Sequence, residues 1–135
     1  MDRRTFIATA AAVAAMPAAA QAIGLEYTPG LVKERLAAGE TVFIDFATHW
    51  CTTCRAQERV LSALLEENPA YEENITFVRV DWDVYSDSDL AIELNIPRRS
   101  TLVVLKGEEE LGRLVARTSQ GDIQGLLDTA LNAGA

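Results

Sequence analysis

The stretch Thr41-Val42-Phe43-Ile44-Asp45-Phe46-Ala47-Thr48-His49-Trp50-Cys51-Thr52-Thr53-Cys54-Arg55 decides how the chain folds. Its first half, Thr41 to Phe46, is nearly continuous apolar and β-branched, the pattern of a strand covered on both faces. Beyond it, Val60, Leu61, Leu64 and Leu65 recur at helical spacing. They predict a helix from the cysteines to about Asn68-Pro69 with one apolar stripe turned to the core. The junction holds the only two cysteines of the chain, Cys51 and Cys54. The first falls at the helix N-terminus, where unpaired backbone N–H groups and the helix dipole favour a thiolate. The second lies one turn on along the same face, so the two sulfurs can meet in a tight ring and cycle between dithiol and disulfide. A purely structural staple fits poorly, because so short a gap closes almost no loop and gains little stability.

Working outward, Thr28-Pro29, then Leu31, Val32, Arg35 and Leu36, with Gly39 behind, predict a first helix capped by Thr28 with proline in its first turn. Ile75 to Asp81 reads as a second strand, and Asp87 to Leu94 as a short helix capped by Ser86 or Asp87. Thr101 to Leu105 is a third strand, Lys106-Gly107-Glu108 turns, and Leu111 to Val115 pairs back as a hairpin. Ser119-Gln120-Gly121-Asp122 opens a last helix over Ile123 to Asn132. A crossover between neighbouring parallel strands followed by an antiparallel hairpin makes an α/β domain: a mixed β-sheet with helices on both faces. Glu66-Glu67 and Glu108-Glu109-Glu110 read as solvated faces.

The N-terminus places Arg3 and Arg4 ahead of an alanine-rich apolar run from Phe6 to Ala20 that closes with Ala20-Gln21-Ala22. This is the pattern of a twin-arginine export signal over residues 1–22, cleaved after about Ala22, and it predicts a periplasmic protein. The run is too short and too weakly apolar for a membrane span of about 20 residues. Residues 23–135 then form one domain around one core. Losing Asp2, Arg3 and Arg4 takes the formal charge from −8 to −9. Such acidity excludes nucleic acid as an expected partner, since phosphate neutralisation needs a basic face.

With these elements in order, the chain resembles the thioredoxin family. The resemblance covers nearly all of residues 23–135 and rests on Asp45-Phe46, on Trp50-Cys51-x-x-Cys54-Arg55, on the strand end Val80-Asp81 and on Thr101-Leu102-Val103-Val104-Leu105. It implies the thioredoxin fold and thiol–disulfide oxidoreductase activity. By resemblance, Cys51 attacks a substrate disulfide, Cys54 resolves the mixed disulfide, and Asp45 is the buried acid beneath the second cysteine that relays its proton. The physical reading agrees that the exposed sulfur at the helix start is the nucleophile and the deeper one waits. The competing reading of Asp45 is a carboxylate paired with Arg79. Trp50 is expected beside the site, shaping the docking surface. Thr52-Thr53 replace the Gly-Pro of ordinary thioredoxins.

One departure concerns the third strand. The family places a cis-proline just before the strand's threonine, facing the dithiol, and here Ser100 precedes Thr101. A cis bond at a non-proline residue costs about 2.5–4 kcal/mol, so Arg99–Ser100 is expected to be trans. The alternative is a shifted loop in which Pro97 takes the position. Arg99, Ser100 and Thr101 are the expected substrate-binding residues, with Arg98 and Arg99 a basic spot that would steer an acidic partner.

No cofactor and no metal are expected: covalent haem needs histidine immediately after Cys54, where Arg55 stands, and structural zinc needs four ligands, with only His49 available as a third. The expected partners are protein disulfides or dithiols and a membrane electron donor, acting on a monomer. Reductase is the expected direction. The alternatives are an oxidant, or a thioredoxin-fold binding module whose dithiol holds a metal or iron–sulfur cluster.

Overall fold

The computed structural model describes residues 23–134, so the expected export signal lies outside the described residues. The chain runs Leu25–Glu26 (β1), Leu31–Ala37 (α1), Thr41–Ala47 (β2), Thr52–Glu67 (α2), Ala70–Asn74 (α3), Thr76–Asp81 (β3), Trp82–Tyr85 (α4), Asp89–Glu93 (α5), Thr101–Lys106 (β4), Glu109–Val115 (β5) and Gln120–Gly134 (α6). The strands form one sheet in the order β1-β3-β2-β4-β5. β2 pairs parallel with β3 and antiparallel with β4, and β4 pairs antiparallel with β5, which is the mixed sheet expected.

β2 is central, and each of its residues is buried. Successive side chains of a strand point to opposite faces, and two cores result. Val42, Ile44 and Phe46 pack with Val78, Val80, Val103 and Leu105 on the face that α1 and α5 cover. Phe43 packs with Phe77, Leu102 and Val104 on the other face, beneath Leu61, Leu64 and Leu65 of α2 and Ile123, Leu126 and Leu127 of α6. By the same alternation Asp45 on β2 and Arg79 on β3 lie on the α2 face, and they are paired directly in the parallel register. The first cysteine thus emerges at the carboxyl end of a fully buried strand, with a carboxylate and a guanidinium side by side behind its helix.

Several expectations need correction. Helix α1 begins at Leu31, not at Pro29: its N-cap is Gly30, whose φ of 91° only glycine adopts freely, and Thr28-Pro29 sit in the preceding turn with the Thr28 carbonyl accepting from Leu31 N–H at 3.0 Å. The helix expected over Asp87 to Leu94 is shorter, Asp89–Glu93, with Ser88 as its cap, Oγ accepting from Ala91 N–H at 3.2 Å. The pieces β1, α3 and α4 were not legible, being too short to carry a periodic pattern. Glu110 is not simply solvated, since Arg113 donates to both its oxygens at 2.6 and 2.8 Å.

Candidate active site

Cys51 closes the extended segment after β2 and is the N-cap of α2, its Sγ accepting from the Cys54 N–H at 3.1 Å. This sulfur satisfies one of the orphan donors of the helix start, where negative charge is also favoured by the dipole. The Ser100 hydroxyl lies 3.2 Å from Cys51 Sγ and 3.1 Å from Cys54 Sγ, bridging the two. Burial pushes the Cys51 thiol up. Hydrogen bonds from the Cys54 thiol, the Ser100 hydroxyl, the Cys54 N–H and Arg99 outweigh it and bring Cys51 to about 7. Cys54 moves the other way, raised first by burial and then by the bond it gives to Cys51. Near neutral pH the pair is therefore one thiolate and one thiol, which separates nucleophile from resolver.

Ser100 occupies the position facing the dithiol, and Pro97 is exposed away from it, so the shifted-loop alternative is overturned. The described residues contain no cis peptide bond, so Arg99–Ser100 is trans as expected. Ser100 instead adopts φ 66°, a left-handed conformation that costs a non-glycine residue roughly 1–2 kcal/mol. It persists because its polar groups are held: its N–H donates to the Phe46 carbonyl at 2.7 Å, and its carbonyl accepts from Ala116 N–H at 2.8 Å and from Gln57 Nε2 at 3.1 Å. Thr101 is fully buried in β4, and its hydroxyl donates to the Arg98 carbonyl at 2.7 Å. Its side chain braces the loop rather than facing outward.

Access to the nucleophile differs from expectation. Cys51 is 3% exposed, not an open sulfur. Arg99 stands next to it: the guanidinium stacks over the Trp50 ring with Cζ 4.4 Å from the centroid and helps lower the Cys51 thiol. Trp50 is half exposed and held by its indole N–H, which donates to Asp83 Oδ2 at 2.8 Å. Trp50 and Arg99 thus sit at the site mouth as expected, but stacked on each other. A cation over an exposed indole is worth only about 0.5–1 kcal/mol, so this stack opens readily. His49 is exposed beside the site, its carbonyl accepting from Arg55 Nη1 at 2.8 Å.

Asp45 is buried on the α2 face and is raised to about 8, first by burial and next by the nearby Glu58 charge, with Arg79 opposing. The competing reading, a simple Asp45–Arg79 pair, does not hold: Arg79 Nε donates to Glu58 Oε2 at 3.2 Å, and Asp45 Oδ1 has no hydrogen-bond partner. A carboxylate with its ordinary proton affinity is far too weak a base for a thiol, whereas one near 8 can exchange a proton with it.

Gln57, Glu58 and Asp83 escaped sequence reasoning. Gln57 carried a signal: it is the one polar side chain among the buried positions of α2 other than the cysteine, and its Nε2 ties the Ser100 carbonyl to that of Arg117. Glu58 and Asp83 carried none, because each acts on a residue remote in the chain.

Two sulfurs of unlike acidity within one helical turn, backed by an acid that can hold or give up a proton at neutral pH, define a thiol–disulfide oxidoreductase. The chain belongs to the thioredoxin family, whose model matches residues 25–129. It is 28% identical to a thioredoxin of Porphyra purpurea over 87 residues, covering 64% of this chain and 77% of that protein. It is 31% identical over 80 residues to a peptide-N(4)-(N-acetyl-beta-glucosaminyl)asparagine amidase of Caenorhabditis elegans, of which it spans only 12%. It spans 61% of a thioredoxin H-type of Fagopyrum esculentum, at 31% identity. Among solved structures, Trxlp from Edwardsiella tarda superposes with a TM-score of 0.64 at 25% identity, covering 76% of this chain and 98% of that one. The thioredoxin of Malassezia sympodialis, at 21% identity and a TM-score of 0.62 over 82% of this chain and 96% of that one, shares the fold.

Proposed function

We propose that this protein is an exported reductase of protein disulfides, working in the periplasm as a monomer and recharged by a membrane-bound dithiol donor. Arg99 swings from Cys51, and the thiolate attacks one sulfur of the substrate disulfide, releasing the other as a thiolate. Cys54 then loses its proton towards Asp45 and attacks the Cys51 sulfur of the mixed disulfide. The substrate leaves as a dithiol, two electrons richer, and Cys51–Cys54 remains as a disulfide that the donor must reduce. Export is supported by Arg3-Arg4 and the apolar run that follows. A donor outside the cytoplasm has to draw its electrons across the membrane, which is the reason for placing it there.

The observation that carries the direction is the acidity of Cys51. A strong oxidant stabilises its reduced form through a very acidic thiol, about 3.5 in the oxidising extreme, whereas reductants of this kind hold theirs near 7. Cys51 is brought to about 7. The expected result is an equilibrium potential against glutathione closer to about −270 mV than to about −120 mV, with insulin reduced when a small dithiol is supplied. A potential at the oxidising end would make the protein a disulfide donor. Failure to exchange with glutathione, together with a stoichiometric soft metal on the chain purified without oxidation, would make it a binding module.

A further inference from the structure

Behind the dithiol, two carboxylates compete for one guanidinium. Asp45 and Arg79 are neighbours in the parallel register of β2 and β3, and both lie on the face beneath α2. Adjacent side chains of opposite charge in that arrangement would ordinarily pair. Arg79 instead turns its Nε to Glu58, one helical turn beyond Cys54 on α2, at 3.2 Å. Asp45 is left with Oδ1 unpartnered and with the Glu58 carboxyl group against it. Asp45 borders a small pocket of about 10 Å³ lined by Ile23, Phe43, Leu61, Phe77 and Val78, whereas Glu58 borders an open surface groove of about 500 Å³. Ile23 lies between the two spaces and lines both. Glu58 is thus the group of the cluster that reaches solvent, with its side chain 29% exposed against 13% for Arg79.

We propose that Glu58 is a positioning residue of the proton relay: by holding Arg79 on α2 it withdraws the counter-charge from Asp45 and keeps the Asp45 proton exchangeable in the working pH range. The charged and titratable groups facing Asp45 are Glu58 from α2, Arg79 from β3 and Cys51 from the helix start, while Glu26 of β1 also faces Arg79. Of these, Glu58 alone both bonds Arg79 and meets Asp45. Without it, Arg79 falls to Asp45, whose carboxylate is then stabilised and whose basicity drops. The sequence places no requirement for an acid at this point of the helix, and a neutral side chain there would restore the simple pair.

This inference rests on the reading of the domain as an oxidoreductase, but its test does not need turnover. In the reduced chain, the Asp45 carboxyl carbon is titrated by NMR in the native protein, Glu58→Gln, Glu58→Asp, Arg79→Gln and the double variant Glu58→Gln/Arg79→Gln. Glu58→Gln is expected to lower the Asp45 midpoint by about 1–3 pH units, the effect of an opposite charge brought within contact. Glu58→Asp should retain most of the native midpoint, and the double variant should cancel the drop. The pH profile of the resolution step, in which Cys54 gives its proton to Asp45, should follow the Asp45 midpoint in single-turnover measurements. An unchanged midpoint in Glu58→Gln overturns the proposal, as does an equal drop in the double variant, which would reduce the role of Glu58 to like-charge repulsion. A chain that shows the expected midpoints yet exchanges with no disulfide would refute the oxidoreductase reading and leave the Glu58–Arg79–Asp45 arrangement standing.

Discussion

Cys54→Ser should accumulate a covalent mixed disulfide with its protein substrates, and Cys51→Ser should accumulate none. The difference follows from the two unlike sulfurs. Removing the second thiol leaves Cys51 as the cap of α2, leaves its bonds with the Ser100 hydroxyl and from the residue-54 backbone N–H, and leaves Arg99 to lower it. Attack therefore survives, while resolution, which needs a second sulfur at the mixed disulfide, is lost. In Cys51→Ser the remaining thiol is fully buried and held in its protonated form, so it neither reaches nor attacks a substrate. Both variants should lose turnover to background, so activity alone cannot tell them apart. Non-reducing gels and intact mass after mixing with disulfide-bearing protein can. Equal trapping by the two variants would contradict the assigned roles.

Asp45→Asn should stabilise the protein at pH 8 and leave its stability at pH 4 nearly unchanged. Asp45 titrates near 3.8 in an unfolded chain and at about 8 in the folded one. Between those values the folded state binds more protons than the unfolded state, so stability falls as pH rises. The penalty is absent below the unfolded value and complete above the folded one. Each unit of difference is worth about 1.4 kcal/mol, which makes the gain for the asparagine variant several kcal/mol at pH 8 and about 6 kcal/mol at most. Urea unfolding of the reduced proteins at pH 4, 6 and 8 reads it directly. Parallel pH curves for the two proteins would mean that Asp45 is ionised in the fold like an ordinary carboxylate. A domain that retains such a group gives up stability for a proton carrier behind its thiols.

Much of this was written locally. The apolar run Thr41–Phe46, the helical spacing of Leu61, Leu64 and Leu65, and the close pair of cysteines are short-range patterns, and short-range patterns fix strands, helices and their junction. The place of Asp45 beneath the helix follows from the resemblance to the thioredoxin family, not from spacing. Ser100 was legible as the residue standing where the family keeps proline, but its left-handed backbone was not, because Phe46, Gln57 and Ala116 hold it there from three other parts of the chain. The stack beside Cys51 joins Trp50 to Arg99 across the sheet and depends on Asp83 from yet another element. The partner of Arg79 likewise depends on how α2 lies across β2 and β3. Charge competition of this kind is settled by distances, and a sequence contains none. The helix that opens at Leu31 shows the same limit on a smaller scale, since Thr28 had the better capping chemistry and Gly30 had the backbone freedom that the turn required.

The most direct test is the pH dependence of alkylation of the reduced chain by iodoacetamide, with the modified residue identified by mass spectrometry. Cys51 should react first, with a midpoint near 7, and Cys54 far more slowly at every pH. A midpoint at the ordinary thiol value or above, or a Cys51 that stays unmodified behind Arg99 and Trp50, would contradict a poised thiolate at the head of α2.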